Sequence, residues 1–163
     1  QWSASDADPF SDITALQSGV IQQIGRKPNV AVMSWDVWKS LKIHPDFVDR
    51  VKYVRPGGVV MPDDLKNFFD FEKVLVGISI FDKSVEGQSA SRAYVWGDGF
   101  WAGYVPSSPA LEIPAAGYCL RWGSRTVRRF RQEEERQDVI DAEEWMDETI
   151  TASIAGGVLF NCV

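Results

Sequence analysis

The sequence lacks the features that mark several common protein classes. None of its apolar runs approaches the roughly 20 residues that a helix needs to span a bilayer, so we expect no membrane partner. Residues 1–8 are polar and acidic, without the basic region and apolar stretch of a secretory signal peptide. The formal net charge is −6, which argues against a protein that grips nucleic acid through clustered Lys and Arg. The composition, with 45% apolar and 25% charged residues, is typical of a globular protein that can form a hydrophobic core.

Residues suited to catalysis or metal binding are few. The one histidine, His44, precedes a proline, and this position favours a surface or helix-end role over catalysis. Cys119 and Cys162 do not have a metal-ligand spacing, so we expect two small buried thiols. The sequence contains neither a G-x-S-x-G nucleophile turn nor a G-x-x-x-x-G-K-[ST] phosphate loop. It therefore predicts a protein that is not an enzyme, with no catalytic residue, no metal site and no cofactor.

One short motif resembles a dinucleotide-binding fingerprint. Residues 97–102, GDGFWA, match G-x-G-x-x-A, but such a site needs a helix directly after the glycines. Here Phe100, Trp101 and Tyr104 continue a strand pattern instead. We interpret residues 93–105 as two aromatic strands that form a hairpin around Gly97-Asp98-Gly99.

Two other functional hypotheses depend on residue types that are abundant. The carboxylates of residues 133–148 could bind a divalent cation in a metal-assisted hydrolase, although a solvated or interface-forming charged face explains them better. Seven tryptophans are many for this length, and exposed ones could stack on sugars, which makes a tryptophan-rich carbohydrate-binding module an alternative function. Most of the tryptophans have apolar neighbours, so core or subunit contacts explain them equally well.

The pattern of apolar residues predicts a mixture of helices and strands. Asp8 and Pro9 can begin a helix that Gly25 ends, Ser34 can cap a second helix, and Pro45 can start a third. Further predicted elements are a loop at 55–58, a helix at 62–69, and strands at 29–33, 73–81, 117–122 and 158–163. The strand at 73–81 is nearly all apolar, which indicates burial on both faces.

The last third of the chain separates its charges. Arginines dominate residues 121–136, and acidic residues dominate residues 138–150. Residues 138–150 fit a strand face and a helix face about equally well, while intrinsic propensity favours a helix. On one folded monomer, opposite charges in adjacent strands would pair and contribute modestly to stability. Across a repeated interface, the same segregation would steer subunits into register. The candidate inter-subunit contacts are Arg125, Arg128, Arg129, Arg131, Glu133, Glu134, Glu135 and Arg136.

Several segments, in one order along the chain, carry a resemblance to a known family. They are WS at 2–3 and DP at 8–9, PNVAVMS at 28–34, HPD at 44–46 with DRVKY at 49–53, EKVLVG at 72–77, VWGD at 95–98, YVP at 104–106, AGY at 116–118, VRRFR at 127–131, and EEER at 133–136 with DVI at 138–140. Together they resemble the major capsid proteins of tailed bacteriophages with the Hong Kong phage type of capsid fold.

The resemblance implies an α+β fold with a spine helix, an elongated peripheral β-sheet and an axial domain whose central sheet is flanked by helices. Residues 1–27 and 124–153 would form the peripheral domain, and residues 28–123 and 154–163 the axial domain. It also favours a strand for residues 138–150. The chain would be the C-terminal part of such a protein, without the N-terminal arm and the extended loop of family members.

The implied function is that of a major capsid subunit, a viral structural protein encoded by a bacteriophage or prophage. Its main partner would be itself, in pentamers and hexamers of the full-length protein that self-assemble into an icosahedral shell. The shell would enclose double-stranded DNA without binding it specifically, and scaffold or portal proteins would be further partners. The implied location is the virion capsid, and the host cytoplasm during assembly.

Overall fold

The computed structural model describes residues 1–4, 6–54, 57–110 and 112–163, so Arg55 and Pro56 of the predicted loop at 55–58 lie outside the described residues. The chain forms two compact units, which we describe separately. Unit 1 comprises Gln1–Ala116 and Ala152–Val163, and unit 2 comprises Gly117–Thr151. In the described part of the chain, no helix is long and apolar enough to cross a membrane.

Unit 1 is built from short helices and strands and unit 2 from two long strands, so the predicted mixture of helices and strands is confirmed. The helices of unit 1 are α1 (Pro9–Ile24), α2 (Trp35–Ile43), α3 (Pro45–Val51), α4 (Pro62–Phe69) and a 3-10 turn (Ser153–Ala155). Its strands are β1 (Val30–Ser34), β2 (Lys73–Gly77), β3 (Ile80–Asp82), β4 (Arg92–Tyr94), β5 (Phe100–Gly103) and β8 (Gly156–Leu159). Unit 2 consists of β6 (Tyr118–Gln132) and β7 (Gln137–Thr149).

The helix boundaries follow the predicted capping residues. The Asp8 carboxylate accepts a hydrogen bond from the Ser11 amide at the start of α1, and Gly25 ends that helix with φ of 65°. The Ser34 hydroxyl accepts from the Val37 amide and caps α2. His44 caps α3, because its Nδ1 accepts from the Asp46 amide at 3.4 Å, so its predicted helix-end role is confirmed.

A four-stranded mixed sheet forms the centre of unit 1. The strand order is β2-β1-β5-β8, with β1 parallel to β2 and antiparallel to β5, and β8 antiparallel to β5. Ala31, Met33, Phe100 and Ala102 of β1 and β5, the two inner strands, are buried. Helix α1 contacts β8 and β5, so part of the buried core lies between this helix and the sheet.

Phenylalanines make up much of the remaining core of unit 1. Phe47 of α3 is fully buried, and its ring centroid lies 6.0 Å from that of Phe68 and 6.3 Å from those of Phe10 and Phe69. These rings belong to α1, α3 and α4. The aromatic cluster therefore holds α1 together with α3 and α4, two helices of seven and eight residues whose lengths would leave them marginal in water.

The predicted strand at residues 73–81 is corrected in two respects. It is divided into β2 and β3, and β3 pairs with β4 in a separate two-stranded sheet. The expected burial on both faces is also wrong, since Leu75 and Ile78 are 52% and 68% exposed. Leu75 belongs to β2, which lies at an edge of the four-stranded sheet, and Ile78 lies in the connection between β2 and β3.

The predicted hairpin at residues 93–105 is wrong as well. Its two strands belong to different sheets, since β4 pairs with β3 while β5 pairs with β1 and β8. Gly97 adopts φ of 65° in the connecting turn, so the glycine signal marked a change of direction rather than a two-strand hairpin. A strand rather than a helix follows the glycines, in agreement with our rejection of the dinucleotide motif.

The two cysteines differ in their environment. Cys162 is buried as predicted, and this burial raises the pKa of its thiol. Cys119 on β6 is exposed, so the prediction of a buried thiol is wrong there. It lies on a hairpin strand whose residues from Cys119 to Arg131 are all exposed.

Unit 2 is a long antiparallel hairpin. β7 covers nearly all of residues 138–150, so the strand that the resemblance implied is confirmed and the propensity for a helix is overridden. β6 extends well past the predicted strand at 117–122 and carries an irregularity between Trp122 and Thr126. Gly123 has φ of 73° within that irregularity. The chain passes from one unit to the other at 116/117 and 151/152. The assignment to peripheral and axial domains concerns places in a shell and stays a prediction.

Candidate interaction surface

The hairpin places the two charge signs on separate strands. β6 carries five arginines and no acidic residue, whereas β7 carries six acidic residues and no basic one. The basic residues are Arg121, Arg125, Arg128, Arg129 and Arg131, and the acidic residues are Asp138, Asp141, Glu143, Glu144, Asp147 and Glu148. We call this arrangement the charge-segregated hairpin.

One acidic side chain is the centre of an ion-pair cluster at the irregularity in β6. Glu144 accepts from Arg125 Nη2 at 2.6 Å and from Arg125 Nε at 2.8 Å, and lies 2.9 Å from Arg121 Nη2. The Glu144 side chain is only 16% exposed. The hydrogen bonds from Arg125, helped by the positive charges of Arg125 and Arg121, lower the pKa of the Glu144 carboxyl.

We expect Glu144 to titrate below its ordinary pKa of 4.5. The Glu144 carboxylate then binds a proton less readily in the folded state than in the unfolded state. The contribution of ionised Glu144 to the free energy of unfolding is therefore present at neutral pH, and it is lost as the pH falls through the folded-state pKa. A carbon-detected NMR titration of the carboxyl group checks this. Arg125→Gln should return the pKa of Glu144 towards its ordinary value, and Arg129→Gln, which removes a different ion pair, should leave it unchanged. A normal pKa in the unaltered protein would contradict the cluster.

A second cluster lies towards the tip of the hairpin. Arg129 pairs with Asp138 at 3.0 Å, and Arg131 lies 3.6 Å from the same carboxylate and 2.9 Å from Glu133. Arg128 is opposite Asp141 in the strand register, yet none of the ion pairs in the described part of the chain includes Arg128. Its guanidinium is therefore available to a partner.

The predicted contact residues all lie in this one hairpin, and all are exposed. Arg125, Arg129, Arg131 and Glu133 take part in the ion pairs above. Glu133, Glu134, Glu135 and Arg136 form the turn between the strands, where Arg136 has φ of 52°. Gln137 donates a hydrogen bond to Glu135, while no ion pair of the described residues includes Glu134 or Arg136.

Sequence reasoning missed the apolar residues of the same surface. Trp122 and Trp145 lie opposite each other in the register and are 86% and 64% exposed. Leu120 and Met146 beside them are more than half exposed. Because strand neighbours alternate between faces, a strand assignment for both segments would have shown that the hairpin cannot bury these side chains by itself.

The described residues give no support to a metal site or a catalytic site. Among the residues that the structure describes, no group of three or more His, Cys, Asp and Glu side chains could hold a metal ion. His44 is buried at a helix end, where its Nδ1 accepts a hydrogen bond from the Asp46 amide. Trp2 and Trp38 are buried in the core of unit 1, so only some of the seven tryptophans could reach a sugar.

Comparison with known proteins gives consistent results. No protein-family model matches the chain. An alignment of 145 residues, 86% of the chain, shows 28% identity to the major capsid protein of Burkholderia phage BcepMu. The crystal structure of a phage-related protein from Bordetella bronchiseptica RB50 matches with a TM-score of 0.85 and 26% identity over 97% of the chain. These similarities confirm the predicted resemblance to phage major capsid proteins. The chain covers 46% of the first protein and 52% of the second, so it spans about half the length of each.

Proposed function

We propose that the chain is part of a major capsid subunit that self-assembles into an icosahedral shell around double-stranded DNA. The similarity to a protein named major capsid protein supports a structural role in a phage. The observation that carries the proposal is the charge-segregated hairpin, which exposes apolar and charged side chains along its whole length. A two-stranded ribbon of this kind is at best marginally stable alone and gains from a partner.

The charge of the chain suits enclosure of DNA without specific binding. A net charge of −6 repels phosphates, so the DNA is confined by the shell and not held by individual subunits. The role is structural and not enzymatic, and it requires no cofactor. The full-length protein would form pentamers and hexamers, with scaffold or portal proteins as further partners. The protein would be located in the host cytoplasm during assembly and in the virion capsid afterwards.

The two units suggest places in the shell. Unit 2 contains most of residues 124–153, and we assign it to the periphery of the subunit. Residues 28–123 and 154–163, which include the four-stranded sheet, would form the axial part that points towards the centre of a pentamer or hexamer. Residues 1–27, with helix α1, would complete the peripheral part as a spine helix.

Electron microscopy of the complete encoded protein that contains this chain tests the proposal. We expect closed shells or capsomers, and sedimentation should show large particles in place of monomers. Persistent monomers under every assembly condition would contradict the proposal. Titration of tryptophan fluorescence with a panel of oligosaccharides is the accompanying control, and a saturable response would favour the carbohydrate-binding alternative.

A further inference from the structure

Both outer edges of the charge-segregated hairpin are unpaired in the described part of the chain. β6 and β7 form a two-stranded sheet, and no other described strand is hydrogen-bonded to either of them. An edge strand presents a row of free N–H and C=O groups that can pair with a strand of another molecule. Two long edges are therefore available for strand addition.

The charges decide which edges can meet when the partner is a second copy of this chain. Pairing β6 with β6 would set arginines against arginines, and pairing β7 with β7 would set carboxylates against carboxylates. Like charges directly opposite each other destabilise an antiparallel pair, whereas opposite charges stabilise it. Only the pairing of β6 with β7 of another copy brings opposite charges together.

The strand directions are compatible with this pairing. β6 and β7 run antiparallel within one hairpin. A second hairpin placed beside the first in the same orientation presents its β6 to the free edge of the first β7, again antiparallel. Each addition leaves one basic edge and one acidic edge free at the ends of the assembly.

The irregularity in β6 limits where the contact can form. Bulges twist an edge and interrupt pairing, so the edge around Gly123 is unsuited to strand addition. The regular part of β6 runs from Thr126 to Gln132 and contains Arg128, which has no ion-pair partner within its own described chain. β7 shows no such interruption between Gln137 and Glu143, the part that pairs with this segment.

We propose that copies of this chain join head to tail, with residues 126–132 of one β6 adding to the free β7 edge of the next copy. The contact is heterologous, so it excludes a two-fold dimer through either edge and generates rings where the rotation between copies closes. The inference deepens the proposed function, because it names the edges by which subunits of the shell contact one another.

Site-specific cross-linking of the 163-residue chain tests this geometry. In a Cys119→Ser background, one variant carries Val127→Cys on β6 and the other carries Ile140→Cys on β7, both at exposed positions. With a short bismaleimide, the mixture should give cross-linked dimers well above the yield of either variant alone. A variant with Lys39→Cys, at an exposed position of unit 1, gives the yield of cross-linked dimers that random collisions produce.

Charge variants make the test specific. Arg128→Glu in the Val127→Cys chain should lower the yield of mixed dimers about tenfold, because an attractive cross-strand pair becomes a repulsive one. Lys39→Glu makes the same charge change on unit 1 and should have no effect. Cross-linking should also decrease in 1 M salt, where charges are screened beyond about 3 Å.

Three results would overturn the inference. The first is a dimer yield from the mixture that equals the yield from each variant alone. The second is a yield from the mixture no higher than that of Lys39→Cys. The third is a yield of mixed dimers that Arg128→Glu does not change. Shells without the cross-link between β6 and β7 would refute this inference while leaving the proposed function intact. The cross-link without shells of the complete protein would refute the proposed function alone.

Discussion

Replacing Phe47 with alanine should lower the free energy of unfolding of unit 1 by about 3–5 kcal/mol. The side chain is fully buried, and three phenylalanine rings and the imidazole of His44 lie within 6.4 Å of its ring centroid. The substitution removes the apolar surface of the ring and leaves a cavity among three helices that cannot collapse completely. Because a domain is stable by only about 5–15 kcal/mol, this loss is a large fraction of the free energy of unfolding.

Urea unfolding followed by near-ultraviolet circular dichroism measures this loss. Phe160→Ala is the matched control, since it removes the same ring from a position in unit 1 that is 78% exposed. It should change the free energy of unfolding by no more than about 0.5 kcal/mol. Equal losses for the two variants would mean that the helices of unit 1 do not depend on the aromatic cluster.

Reversing the charges of Arg128, Arg129 and Arg131 together to glutamate should abolish assembly of the complete encoded protein while its subunits remain folded. All three side chains are exposed on β6, so the cost to the monomer is limited to weak surface ion pairs with Asp138 and Glu133. Across copies, attractive cross-strand contacts become repulsive ones, and the three reversals together should cost several kcal/mol. Since about 1.4 kcal/mol is a factor of ten in an association constant, the yield of particles should fall by orders of magnitude.

Sedimentation and electron microscopy measure the yield of particles, and circular dichroism checks the fold. The control reverses Lys39, Lys42 and Lys73, three exposed lysines of unit 1, so that the net charge changes equally. Assembly should survive in the control. Unchanged assembly of the arginine variant would remove the proposed contact role of β6, and loss of assembly in both variants would indicate a general effect of net charge.

Local chemistry in the sequence determined much of unit 1. Asp8 with Pro9, Ser34, and His44 with Pro45 begin helices where predicted, because a side-chain acceptor at the N-cap satisfies a backbone amide without help from distant residues. The helix at Pro62–Phe69 also has its predicted bounds. The order of short motifs along the chain indicated the resemblance to phage capsid proteins, and the comparison with known proteins finds the same similarity.

Only the tertiary structure decided how the strands pair and which apolar residues are buried. The apolar run at 73–81 became an edge strand and part of a second sheet, and the two aromatic strands around Gly97 joined different sheets, because strand partners are chosen by distant segments. Residues 138–150 became a strand against their propensity, since pairing with β6 satisfies their backbone groups.

The sequence alone therefore determined the helix ends and the separation of charge along the chain. The tertiary structure placed those charges on two adjacent strands, because backbone hydrogen bonding between β6 and β7 aligned one basic segment with one acidic segment.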